Sequence, residues 1–196
     1  MELFAKDTAN LLDALNINRA HVLGLSMGTN IALEFVLRYS AKVDKLILYA
    51  ADCGGKEAIQ PDPKHMKMMI DTSGTARERG ERLLKILFPP KWLEEHPDIF
   101  SYFPRPSETS SAGNIDRQTK AMLGWKGAFS RLPRIKKSVL LITGTEDVLT
   151  PPKNSFIIAQ RIPGSWVVQL KEGGHGVMYQ YPKQMSRIIH TFIETQ

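Results

Sequence analysis

Seven consecutive residues, Lys45-Leu46-Ile47-Leu48-Tyr49-Ala50-Ala51, read as a strand with no polar face. A strand that faces water on one side alternates apolar with polar. An unbroken apolar run implies cover on both faces, which is the situation of a strand inside a parallel sheet packed between helices. The rest of the chain is constrained to supply those neighbours and that cover.

Its flanks do so by alternation. Phe4, Leu11, Leu12 and Leu15 fall on one side of a first helix. His21-Val22-Leu23-Gly24-Leu25 is a short apolar run, and residues 27–39 follow with apolar side chains nearly all round, as in a helix buried on most sides. After residue 138 the pattern resumes. Ser138-Val139-Leu140-Leu141-Ile142-Thr143-Gly144 and Trp166-Val167-Val168-Gln169-Leu170 read as strands. Thr150-Pro151-Pro152 reads as an N-cap with a prolyl first turn, opening a helix to about Arg161. Pro182 opens a last helix with Met185, Ile188, Ile189, Phe192 and Ile193 on one side. The expectation is an α/β fold: a parallel sheet of about four strands flanked by helices.

Residues 53–137 differ in texture. Prolines cluster at 61 and 63, at 89 and 90, and at 97, 104 and 106; short helical patterns such as Leu83–Phe88 lie between them. Pro104–Gly113 reads as a loop. The expected organisation is a core from residues 1–54 and 136–196, with a helical cap over 55–135.

With 42% hydrophobic and 23% charged residues, the chain falls among ordinary globular proteins. No stretch approaches the ~18 apolar residues of a membrane span. Met1–Asp7 is neither basic nor followed by an apolar run, so a cytoplasmic protein is expected. The 26 Lys and Arg against 20 Asp and Glu give +6, yet bases interleave with acids, as in Arg77-Glu78-Arg79-Gly80-Glu81-Arg82. That is a solvated helix surface rather than a nucleic-acid site. Cys53, the single cysteine, reads as a small buried hydrophobe.

Chemistry-bearing residues gather at three strand ends. Gly24-Leu25-Ser26-Met27-Gly28 is G-x-S-x-G between a strand and a helix, a turn sharp enough to project the serine hydroxyl above the sheet. The Met27 N–H opens the following helix, so it can donate to an oxyanion with the helix dipole behind it. Asp147, just beyond Leu140–Gly144, is placed to orient an imidazole; equally, a turn aspartate can bond its own backbone. Glu146 is a weaker candidate, and Asp52, ending the second strand, a stronger rival. His175, in Gly173-Gly174-His175-Gly176, is expected to reach the site because glycines permit unusual dihedrals. His21 lies at the wrong strand end, and His65, His96 and His190 fall in helical or surface settings. No H-x-x-x-H or C-x-x-C spacing exists, so no metal and no organic cofactor is expected.

Ser26, Asp147 and His175 occur in the order used by α/β-hydrolases. Gly24–Gly28, Gly144–Asp147 with Pro151-Pro152, and Gly173–Gly176 resemble that superfamily's three signatures. Ile115–Gln118 with Leu132–Ile135 resembles the end of its helical cap, and the whole is similar to the esterase, lactonase and peroxidase-like branch. The resemblance implies a serine hydrolase acting on a small ester or lactone through an acyl-enzyme. Met66, Met68, Met69, Trp92, Phe100, Phe103, Met122 and Trp125 are candidates for an apolar cap lining, or for the cap's own core.

One departure qualifies this. The family pattern places four strands and a helix, roughly 60 residues, before the helix that here begins at Leu3. That part includes the loop whose N–H completes the oxyanion hole. The alternative expectation is therefore an inactive hydrolase remnant serving as a binding or scaffold protein. The His21–Leu25 strand would then present a bare edge, and a homodimer through that edge is expected.

Overall fold

The computed structural model describes residues 1–101 and 111–195. Helix α1 (Glu2–Ala14) leads to strand β1 (Ala20–Leu25), helix α2 (Met27–Arg38) and strand β2 (Val43–Tyr49). Among the described residues four α-helices follow before the next strand: α3 (Pro63–Ile70), α4 (Ala76–Leu87), α5 (Pro90–Glu95) and α6 (Ala112–Leu123). Then come β3 (Val139–Gly144), α7 (Lys153–Ala159), β4 (Trp166–Leu170), the single turn α8 (Val177–Gln180) and α9 (Pro182–Glu194).

The four strands form one sheet, ordered β1-β2-β3-β4 and parallel throughout. Its register places Leu23 beside Ile47 and Leu48 beside Leu141. Alternate side chains enter two cores. Leu46, Leu48, Val139 and Leu141 pack with α1, α2 and α7; Ile47, Tyr49, Leu140 and Ile142 pack with α8 and α9. The doubly covered apolar run is thus accounted for residue by residue. Lys45, at the start of that run, is half-buried; its ammonium donates to the carbonyls of Phe192 and Ile193, both at 2.9 Å, at the carboxyl end of α9.

The first helix meets expectation only in part, Leu12 packing against the core and Phe4 being half-buried. Its buried contacts are Ala5 and Ala9, whereas Leu11 and Leu15 are 58% and 57% exposed. Small residues win because α1 lies close on α2, and only Ala leaves room for that approach. On the α9 side of the sheet the cover stops short of β1, so Leu23 is 49% exposed. The opening of α7 differs as well: the helix starts at Lys153, with Pro152 at the N-cap. Thr150 does not cap it; its N–H is held by Asp147 Oδ1 at 2.7 Å.

Between β2 and β3 the described residues contain helices and no strand. The long loop expected from Pro104, together with Phe103, lies largely outside the described residues. Where this segment leaves and rejoins the sheet, its two ends cross at Gly54 and Gly127, both with positive φ. A Cβ on Gly127 would sit 2.6 Å from the Gly54 carbonyl carbon, and the Ala128 N–H donates to the Cys53 carbonyl at 2.7 Å. Cys53 is fully buried beneath this crossing, and burial pushes its thiol up to about 11.

One buried acid ties the returning end to the sheet's helices. Glu34 of α2 is 0% exposed, yet it faces three donors. Arg131 takes both of its oxygens, one at 2.9 Å, with Trp125 Nε1 at 2.8 Å and Arg38 Nε at 3.1 Å. Burial alone would raise the carboxyl's pKa. The hydrogen bonds from Arg131 and Trp125, and the Arg131 charge, outweigh burial and hold it at about 2.

A folded-state pKa below the ordinary 4.5 means stabilisation that is fully present above about pH 4.5 and lost as pH falls toward 2. That shift corresponds to on the order of 3 kcal/mol. Denaturant midpoints followed from neutral pH down to about pH 3 should fall steeply in the parent and less steeply in Glu34→Gln. Arg131→Met, which strands the acid, should cost about 3–5 kcal/mol at neutral pH.

Candidate active site

Ser26 follows β1 directly and stands at the N-cap of α2 with φ 52° and ψ −121°, a backbone conformation that L side chains rarely adopt. Bonds on both sides hold it there. Its N–H donates to the Tyr49 carbonyl at 3.0 Å, and its carbonyl accepts the Thr29 N–H at 2.8 Å and the Thr29 hydroxyl at 2.6 Å. The turn closes so tightly that a Cβ on Gly24 would lie 2.5 Å from the Gly28 carbonyl oxygen. Gly28 is different: a Cβ there meets nothing within 4 Å. Of the two glycines in the motif, only the first is demanded by space.

Met27 is the first residue of α2, so its N–H has no carbonyl one turn back to bond. Together with Ser26 it lines a cavity of about 630 Å³ over the carboxyl ends of the strands. His175 lines the same cavity.

His175 and Asp147 are joined. Nδ1 of the imidazole lies 2.9 Å from Asp147 Oδ2 and 3.1 Å from Oδ1, and the acid's side chain is wholly buried. Asp147 Oδ1 also accepts the N–H groups of Leu149 and Thr150 at 2.9 and 2.7 Å. Oδ1 thus builds the turn, and both oxygens lie within hydrogen-bond distance of the histidine. Asp52, the rival, lines the cavity but bonds elsewhere, to the Gly54 N–H at 2.7 Å and to Asn30 Nδ2 at 3.3 Å. Glu146 does not line the cavity.

Glycines around His175 are needed for space rather than for dihedral freedom, since Gly173, Gly174 and Gly176 all lack positive φ. A Cβ on Gly174 would come within 2.5 Å of the Leu87 carbonyl oxygen, where α4 ends. The Gly176 N–H donates to that same carbonyl at 2.8 Å, and the Tyr49 hydroxyl donates to the His175 carbonyl. Burial drives the Tyr49 hydroxyl's pKa well up, so it stays a donor. Among the described residues no hydrogen bond joins the Ser26 hydroxyl to His175. Such pairs are often loose without substrate and tighten when it binds.

Of the expected lining, Met66, Met69, Met122 and Trp125 face the cavity. Trp92 instead stacks between Phe88 and His96, Phe100 is exposed and Met68 is off the lining. Asn30, Leu83, Leu87 and Leu149 were not anticipated. Spacing offered a signal for three of them: Asn30 is one helical turn beyond Ser26, and Leu83 and Leu87 are one turn apart on α4. His21 pairs with Asp44 at the far end of the sheet. Among the described residues no three His, Cys, Asp or Glu side chains cluster as a metal site, and no helix is long and apolar enough to cross a membrane.

A four-stranded parallel sheet carrying a serine elbow, and a histidine–aspartate pair from the last two strand ends, defines the class. The chain belongs to the α/β-hydrolase fold family, whose family model matches residues 1–182. It is 24% identical over 210 residues to the 2-hydroxy-6-oxononadienedioate/2-hydroxy-6-oxononatrienedioate hydrolase of Burkholderia vietnamiensis, covering 98% of this chain and 68% of that protein. Its fold matches a thermophilic esterase from Thermogutta terrifontis with TM-score 0.79 and 21% identity, over 98% of this chain and 71% of the other. The enol-lactonase from Burkholderia xenovorans LB400 matches with TM-score 0.77 and 21% identity, over 97% and 72%.

The two elbow glycines give a direct check. Gly24→Ala should abolish soluble, cooperatively folding protein, because the Cβ meets backbone that cannot move aside. Gly28→Ala should fold, with a Tm within a few degrees of the parent by thermal scan.

Proposed function

We propose that the protein is a serine hydrolase of small carboxylic esters or lactones. Ser26, at a strained strand–helix turn and on one cavity with a histidine already bonded to a buried aspartate, is the observation that carries this reading. Ser26 Oγ attacks the carbonyl carbon while His175 Nε2 accepts its proton, and Asp147 holds Nδ1–H and stabilises the imidazolium. The Met27 N–H donates to the oxyanion. His175 then protonates the leaving alkoxide as the C–O bond breaks, leaving an acyl-serine. Water attacks that ester with His175 as base, and Ser26 is restored with release of the acid. Ester and lactone chemistry also agrees with the names of the esterase and the enol-lactonase whose folds it shares. Residues 55–135 act in this reading as the cap that shapes the substrate cavity. No cofactor enters any step.

A second reading, a non-catalytic binding scaffold, is favoured by the lack of a hydrogen bond between Ser26 and His175. A fluorophosphonate probe separates the two. An active site should label at Ser26, and labelling and p-nitrophenyl acetate hydrolysis should both vanish in Ser26→Ala. Among asparagine variants, Asp147→Asn should lose about 10⁴ in kcat while Asp52→Asn loses far less. Unlabelled parent protein would establish the scaffold instead.

Assembly follows from the sheet's edge. Among the described residues β1 has a strand neighbour on one side only, with Leu23 half exposed beside that edge. A second copy pairing its own β1 across a two-fold axis would satisfy the free N–H and C=O groups of both. Light scattering at micromolar concentration should give twice the chain mass; a stable monomer would end this idea.

A further inference from the structure

The protein's net charge and the lining of its cavity point in opposite directions. The chain carries 26 Lys and Arg and a net +6, yet among the described residues neither Lys nor Arg lines the cavity above Ser26. Its ionisable groups there are His175 and Asp52. His175 is committed through Nδ1 to Asp147. Asp52 has Oδ1 occupied by the Gly54 N–H and Asn30, and no cation stands within ion-pair distance of it among the described residues. The lining also includes Met66, Met69, Leu83 and Trp125, whose side chains carry no charge, and the neutral polar side chains of Asn30, Gln60 and Thr150.

Resting on the hydrolase reading for which bond is cleaved, we propose that the cavity selects substrates whose acyl group is uncharged, and that Asp52 is the residue that rejects carboxylates. Two effects act in the same direction. A substrate carboxylate must give up water to enter a mostly apolar lining in which, among the described residues, no Lys or Arg receives it. It must also approach the Asp52 carboxylate in a space only a few side chains across. Like charges ~6 Å apart at an effective dielectric near 20 weaken binding by about 100-fold, and partial solvation reduces that to roughly tenfold. An amide or methyl group at the same position meets neither penalty. Asp52 is therefore a specificity residue, distinct from the proton-transfer pair, and it explains an acid at this strand end that the histidine does not use.

The test reads binding rather than turnover, so it does not depend on how fast the enzyme runs. Ser26→Ala protein is titrated calorimetrically with monomethyl hexanedioate and with its terminal primary amide, two ligands of equal length that differ in charge. The amide should bind about tenfold tighter or more. In Ser26→Ala/Asp52→Asn the gap should shrink to about threefold or less, asparagine keeping the acceptor for the Gly54 N–H. Should the double variant fail to fold, salt supplies the second measurement: raising it from about 20 to about 500 mM should narrow the gap in the Ser26→Ala protein. Equal binding of acid and amide, a gap insensitive to both Asp52→Asn and salt, or no binding of the amide would each overturn the proposal. Fluorophosphonate labelling of the parent reads the hydrolase assignment separately. A charge gap without labelling would leave the selectivity standing and remove the reaction.

Discussion

Glu34 is the constraint on which the rest of the arrangement depends. A carboxylate with no exposure is tolerable only if its lone pairs are filled, and Arg131, Trp125 and Arg38 fill them. Those donors come from two places. Arg38 shares the helix that Ser26 caps, whereas Trp125 and Arg131 stand on the chain returning from the helical segment. The network therefore fixes that segment's far end against the helix whose first turn forms the elbow. Because the Trp125 indole also lines the cavity, the same hydrogen bond that satisfies the acid sets one cavity wall.

On the opposite side, the anchoring is by shape instead of charge. The end of α4 offers the Leu87 carbonyl and the Phe88 ring to the glycines beside His175, so the histidine loop is packed between helical segment and sheet. The cavity lies between these two attachments. Its floor comes from the loops after β1, β2, β3 and β4, which parallel strands direct to one side, and its walls come from α3, α4 and α6. Neither part alone encloses it.

The sheet was legible in the sequence because burial on both faces leaves an unbroken apolar signature, and Leu46–Tyr49 and Val139–Ile142 have it. The three candidate residues were legible because each sits near glycine in the turn after a strand, although only the strand before Asp147 is buried on both faces. What the pattern could not carry is distance through space. Glu34 and Arg131 are separated by 97 positions, and neither has a local signature. Helical spacing nominated Leu11 and Leu15 as a packing face, but the closeness of α1 to α2 selects Ala5 and Ala9, whose small size is invisible to a hydrophobicity count. Thr150 looked like a cap because threonine before proline often is, yet the helix opens later, at Lys153, with Pro152 at the N-cap. The aromatic residues of the helical segment divide between the cavity and the segment's own core, and composition alone gives Trp92 and Trp125 equal standing.

The crossing at Gly54 and Gly127 bears on how such a molecule can diversify. Departing and returning chain pass within contact of each other there, so the helical segment enters and leaves the α/β frame through one narrow stem, held besides by the Leu87 contact with the histidine loop and the Ile59 bonds to Asn154. A stem of that kind lets its contents lengthen, shorten or be exchanged while the strands keep their register, provided the two glycines and the Arg131 anchor survive. Changing what the cavity admits is then a matter of regrafting one loop of chain, with the elbow and the histidine loop left in place beneath it.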